Sequence, residues 1–108
     1  MHSIRSYPAT KNEILTELLK NRTALRKYGV ISIGIFGSFA ADLQTENSDI
    51  DILVALKKDK KTMRNFLDLN YFLEELLKHK VDLVTHESLS RHIRPHVEQT
   101  VEYAAIND

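Results

Sequence analysis

The sequence predicts an α+β fold, a small mixed β-sheet packed with helices, and three observations carry that expectation. Three short apolar runs have strand character: 30–36 (VISIGIF), the alternation of Ile50, Ile52 and Val54, and 81–85 (VDLVT). Amphipathic helical patterns lie before, between and after these runs. The longest, 62–78, is a crossover long enough to let the second and third strands run parallel. With 108 residues, 43% hydrophobic and 28% charged, the chain has material for one modest core, so a single domain spanning 1–108 is expected.

Thr10 is an N-cap with Glu13 three residues on, the capping-box spacing, and Ile14, Leu15, Leu18 and Leu19 follow on one helical face. This helix is expected to end near Tyr28 and Gly29 and to feed the first strand. Gly37 and Ser38 end that strand, and 39–43 can begin a short helix. The run Lys57-Lys58-Asp59-Lys60-Lys61 falls between a strand and a helix, where a solvated loop is expected. In the long helix, Leu69, Tyr71 and Phe72 widen the apolar stripe, read as core packing with a partner surface as the alternative. Residues 91–94 form a connecting turn, and Pro95 suits the first turn of a last helix reaching about Ala105. That helix would pack Tyr103 inward. His92 and His96 have the i, i+4 spacing of a metal pair, but Pro95 between them argues against one continuous helix, so both are expected to face solvent.

The chemistry concentrates in 37–51, GSFAADLQTENSDID. With a period of two, Ile50, Ile52 and Val54 share one face of their strand while Asp49 and Asp51 share the other. Two unit charges ~4 Å apart at an effective dielectric near 20 repel by ~4 kcal/mol, so such a pair calls for a cation, a shared proton or strong solvation. Magnesium, which favours hard oxygen ligands and shares its shell with water and substrate phosphates, suits it. Gly37 lets backbone approach a ligand closely, and the Ser38 hydroxyl with neighbouring N–H groups can hold a phosphate.

Gly37 and Ser38, a ten-residue spacer, then Asp49 and Asp51 resemble the motif of the minimal nucleotidyltransferases, small relatives of the catalytic palm of DNA polymerase β. The likeness extends to Ser48 and to Ile52, Leu53 and Val54, and covers about 14–103. The resemblance implies a polymerase β-like palm and a third carboxylate on a later strand, a place Asp82 takes. It implies that Asp49, Asp51 and Asp82 hold magnesium and perform catalysis, and that Gly37 and Ser38 hold the phosphates of a nucleotide, ATP. The chain departs from the common family pattern Ala-Arg-Gly, reading Ala40-Ala41-Asp42. This removes a cation from the phosphate region and adds a carboxylate near it.

Only about 26 residues follow Asp82, so the acceptor is expected to be bound largely by another molecule. The resemblance offers one: stand-alone members often pair with small helical HEPN ribonuclease toxins as type VII-like antitoxins, adding AMP to a tyrosine of the toxin. Two alternatives stay open, neutralisation by binding without catalysis and nucleotidylation of a small molecule. A formal net charge of zero lacks the basic excess of a general nucleic-acid binder, so no direct nucleic-acid binding is expected. With no cysteine, no membrane-length apolar window and no apolar signal stretch in Met1-His2-Ser3-Ile4-Arg5, a cytoplasmic protein is expected.

Overall fold

The computed structural model describes residues 10–107. The Met1–Arg5 segment, read above for a signal sequence, lies outside the described residues. The elements are α1 (Lys11–Lys20), α2 (Arg22–Lys27), β1 (Val30–Phe36), α3 (Gly37–Ala40), β2 (Ile50–Leu56), α4 (Met63–Leu77), β3 (Val81–Thr85), α5 (Arg94–Thr100) and β4 (Glu102–Tyr103). Short 3-10 turns, Lys58–Lys60 and His86–Ser88, follow β2 and β3. The strands form one mixed sheet in the order β3-β2-β1-β4. β1 runs antiparallel to β2 and β4, while β2 and β3 are parallel, as the α4 crossover permits.

The Thr10 capping box forms: its hydroxyl accepts from the Glu13 N–H at 3.2 Å, and Glu13 Oε1 accepts the Thr10 N–H at 3.1 Å. The single helix expected from 10 to 28 is two. Asn21 breaks it, because its side-chain amide donates to the Glu17 carbonyl at 2.8 Å and its backbone leaves helical geometry. The long helix matches its expected span, with Thr62 capping the N-terminus and Lys78 in left-handed geometry at the other end.

The two faces of the sheet carry different loads. Ile33, Ile35, Ile50, Ile52 and Val54 pack against Ile14, Leu18 and Leu25 on one side and Leu69, Leu73 and Leu77 of α4 on the other, forming the main core. On the opposite face Leu53 is fully buried against Leu89 and Val97, with Phe36, Val84 and Val101 partly buried around them. This second cluster seats α5 on the face that carries Asp51.

The last helix ends at Thr100, five residues short of Ala105, and the chain then extends to add β4 beside β1. Gly34 makes this possible: a Cβ there would lie 2.8 Å from the Glu102 carbonyl and from Val101 Cγ2. Tyr103, expected to be packed, is 48% exposed on this edge strand. The widened stripe of α4 divides: Leu69 is buried, Phe72 packs on Tyr28 with ring centroids 5.4 Å apart, and Tyr71 is 72% exposed. The lysine run is a surface turn, with Lys61 paired to Glu87 at 2.8 Å.

Candidate active site

β2 delivers the central carboxylate. Asp51 pairs in register with Phe36, the last residue of β1, and with Asp82 on β3. Alternation along β2 and β3 therefore sets Asp51 and Asp82 side by side on the face opposite the main core. Asp49 precedes β2 and is exposed, as is Asp82, whereas Asp51 is partly buried. Burial, then the Asp82 and Asp49 charges and a side-chain hydrogen bond with Asp82, push the Asp51 carboxyl up to about 6. The charges of Asp82 and Asp49 thus both act on Asp51.

The phosphate-type turn meets this strand at one point. Gly37 has φ +74°, and a Cβ there would lie 2.1 Å from Asp51 Oδ2 and 3.1 Å from its Cγ. Only a residue without a side chain allows the carboxylate to lie against that backbone. The next residue, Ser38, is partly buried, and its hydroxyl has no hydrogen-bond partner among the described residues. Gly37, Asp51 and Asp82 therefore meet where β1 ends and α3 begins, with Ser38 next along the chain and Asp49 near enough for its charge to act on Asp51.

Ala41 and Asp42 have a structural account. The Leu43 N–H donates to the Ser38 carbonyl at 2.9 Å and the Asp42 N–H to the Phe39 carbonyl at 3.4 Å, the paired bonds of a Schellman motif closing α3. Asp42 is the left-handed residue of that motif, φ +59°, a position whose backbone favours glycine. Its charge raises the pKa of Lys11, behind the larger effect of the Glu102 hydrogen bond at 2.8 Å. Lys11 Nζ also reaches the Ala40 carbonyl at 3.4 Å, so the Asp42 carboxylate faces a cation on α1. Asp42→Gly is expected to stabilise the fold slightly, by about 0.5–1 kcal/mol, since left-handed backbone strain is relieved at some cost in unfolded-state entropy; chemical denaturation measures it.

Among the described residues no group of three or more histidine, aspartate or glutamate side chains is gathered to hold a metal ion alone. The donor set nevertheless fits a hard cation: magnesium usually takes one or two carboxylates and completes its shell with water and substrate phosphates. Asp51 and Asp82 offer such a pair, mutually repelling until a cation or proton arrives. His92 sits in the turn before α5 and His96 within it, so they form no histidine pair on one helix. His96 nonetheless borders, with Thr100, a cleft of about 620 Å³ whose facing wall is Gly37, Ser38, Ala40 and Ala41. Sequence spacing did not signal this, because it depends on how Leu53 and Val97 seat α5.

Comparison with known proteins identifies the family. Residues 15–107 match the family model described as "Nucleotidyltransferase domain". A protein of Thermococcus cleftensis named protein adenylyltransferase MntA is 38% identical over 95 residues, which cover 87% of this chain and 95% of that protein. A structure described provisionally as a minimal nucleotidyltransferase superposes with a TM-score of 0.68 at 30% identity, covering 82% of this chain and 93% of that one. A crystal structure of a toxin–antitoxin with AMP-PNP gives 0.63 at 28% identity, covering 87% and 71%. A family match over nearly the whole described chain, with relatives and a solved structure of the same fold, makes this protein a member of the nucleotidyltransferase-domain family with the minimal nucleotidyltransferase fold.

Proposed function

We propose that the chain transfers AMP from ATP, with magnesium, to a tyrosine hydroxyl of a HEPN-family ribonuclease toxin and so acts as its antitoxin. The observation that carries the reading is the Asp51 carboxylate held against Gly37 while paired in register with Asp82. That contact joins a phosphate-holding turn to a cation-holding strand. The name of the Thermococcus relative and the toxin–antitoxin complex with AMP-PNP support the choice of nucleotide and partner.

In this mechanism Asp49, Asp51 and Asp82 would hold magnesium, a hard cation suited to carboxylate oxygens. Bound there, the ion supplies charge neutralisation at the phosphates and acidifies the attacking hydroxyl. Backbone N–H groups at Gly37 and the free Ser38 hydroxyl anchor the terminal phosphates, so binding energy far from the reacting bond orients the α-phosphorus. The acceptor oxygen bonds to the α-phosphorus in line with the departing bridging oxygen, and pyrophosphate leaves. Exposed Asp82 takes the hydroxyl proton. A single domain of this size does both binding of nucleotide and catalysis, and the toxin brings the acceptor. The cytoplasm, where ATP and such a toxin meet, is the proposed location; among the described residues no helix is long and apolar enough to cross a membrane.

Incubation with the purified toxin, ATP and magnesium tests this. A substoichiometric amount of the chain is expected to convert excess toxin to a species heavier by one AMP, on tyrosine, and to silence its ribonuclease. Protection only in proportion to complex formed, with no mass change, would mean neutralisation by binding. AMP found instead on a small molecule such as an aminoglycoside would move the acceptor.

A further inference from the structure

The cleft between α3 and α5 contains one ionisable lining side chain, His96. Its imidazole makes no hydrogen bond or ion pair among the described residues; only its backbone is engaged, accepting from the Thr100 hydroxyl at 2.9 Å. Thr100 Oγ also lies 3.3 Å from the Val97 carbonyl, so that hydroxyl is directed at its own helix. Pro95, immediately before His96, stiffens the backbone that presents the ring. Opposite stand Ala40 and Ala41, whose small side chains leave the volume open. Gly37 borders this cleft as well as touching the Asp51 carboxylate. A ligand with one end at the acids can therefore pass Gly37 and Ser38 and place its other end beside His96.

A free imidazole facing Gly37 and a free Ser38 hydroxyl across one cleft, with Gly37 itself against the Asp51 carboxylate, suits the anionic end of a ligand held at the acids. The imidazole ring N–H, neutral or protonated, donates to a phosphate oxygen, and the alanine wall offers no competing acceptor side chain. We propose that His96 is a positioning residue for the terminal phosphates of the nucleoside triphosphate, gripping the end remote from the bond that breaks. This rests on the nucleotide-dependent reading above and assigns a second wall to the nucleotide site, contributed by α5.

The test is calorimetric binding of ATP and of AMP, with magnesium, to the full chain and its variants. His96→Ala is expected to weaken ATP at least about tenfold, the loss of one charge-assisted hydrogen bond, and to leave AMP unchanged, because AMP lacks the terminal phosphates. His96→Gln, which keeps an N–H donor, should recover part of the affinity, and His96→Arg most of it. Ala41→Glu, placing a carboxylate in the facing wall, should weaken ATP while sparing AMP, and it does so without altering His96. In turnover, His96→Ala raises KM for ATP and lowers kcat as well, because binding energy at the terminal phosphates also orients the α-phosphorus. Unchanged ATP affinity in His96→Ala, or an equal loss for AMP, overturns the assignment. Because ATP binding is read without any toxin, tight binding by the wild-type chain with no transfer to the toxin would sink the proposed acceptor and leave His96 on its own test. No ATP binding by the wild-type chain would remove both.

Discussion

Asp51→Asn is expected to lower AMP transfer by about three orders of magnitude while making the metal-free fold more stable at neutral pH. The first effect follows from loss of the central carboxylate of the proposed cation site, where metal stabilisation of the transition state would be worth several kcal/mol. The second follows from linkage. Burial and the neighbouring acids raise the folded Asp51 carboxyl from 3.8 to about 6, so the folded chain binds that proton more tightly than the unfolded chain. The associated loss of stability is absent below about pH 4, develops between about 4 and 6, and is complete at pH 7. Its size is about 1–3 kcal/mol after allowing for partial exposure of the group. Asparagine keeps the shape without the charge, so the variant should be the more stable by that amount at pH 7 and nearly equal to wild type at pH 4. Denaturant midpoints at the two pH values, with a transfer assay at neutral pH, check both halves. Magnesium affinity of the wild-type chain should fall as pH drops through about 6, because the same proton competes with the ion.

Gly37→Ala should be nearly as damaging to activity through a different route. Its φ of +74° puts an alanine in left-handed backbone at a cost of about 1–2 kcal/mol. The larger problem is space, since the new Cβ would lie 2.1 Å from Asp51 Oδ2. Either the carboxylate swings away or the turn retreats from the site. A displacement of about 1 Å in a reacting constellation costs roughly a hundredfold in rate, and that loss is the expected result. Gly37→Asn separates the two causes. Asparagine tolerates left-handed backbone better than alanine, so its stability should suffer less while its activity falls as far. Activity retained in the asparagine variant would show that backbone strain alone matters at this position. Thermal melts and steady-state transfer rates resolve the outcomes.

Both predictions concern residues that local sequence made visible, because each satisfies a constraint readable without long-range information. Alternation placed Asp51 opposite Ile50 and Ile52, and the structure keeps it there. The Thr10 capping box and the span of the long helix are also short-range, set by hydrogen bonds within one turn and by apolar repeats within one helix. Gly37 was legible as an end to a strand, but the reason only glycine fits, the approach of Asp51, belongs to the β1–β2 register. Asp42 reads as a missing cation in the sequence and as the left-handed residue of a Schellman motif in the fold.

Where local preference was weakly opposed, another contact prevailed, local at one end of the chain and tertiary at the other. The apolar pattern from 10 to 28 continues through Asn21, yet one side-chain hydrogen bond divides the helix. At the other end, the sequence after Thr100 can prolong a helix, but an open edge of β1 at Gly34 offers backbone hydrogen bonds to an extended segment, and β4 forms. The sequence by itself determined the strand-borne acids, the glycine–serine turn and the crossover that makes two strands parallel, all products of side-chain period and backbone stereochemistry. Tertiary structure alone decided which residues lie across the cleft from them. His96 faces Gly37 and Ser38 only because Leu53, Leu89 and Val97 bury one another and thereby bring α5 to face α3, and burial between residues far apart in the chain leaves no local periodic signal.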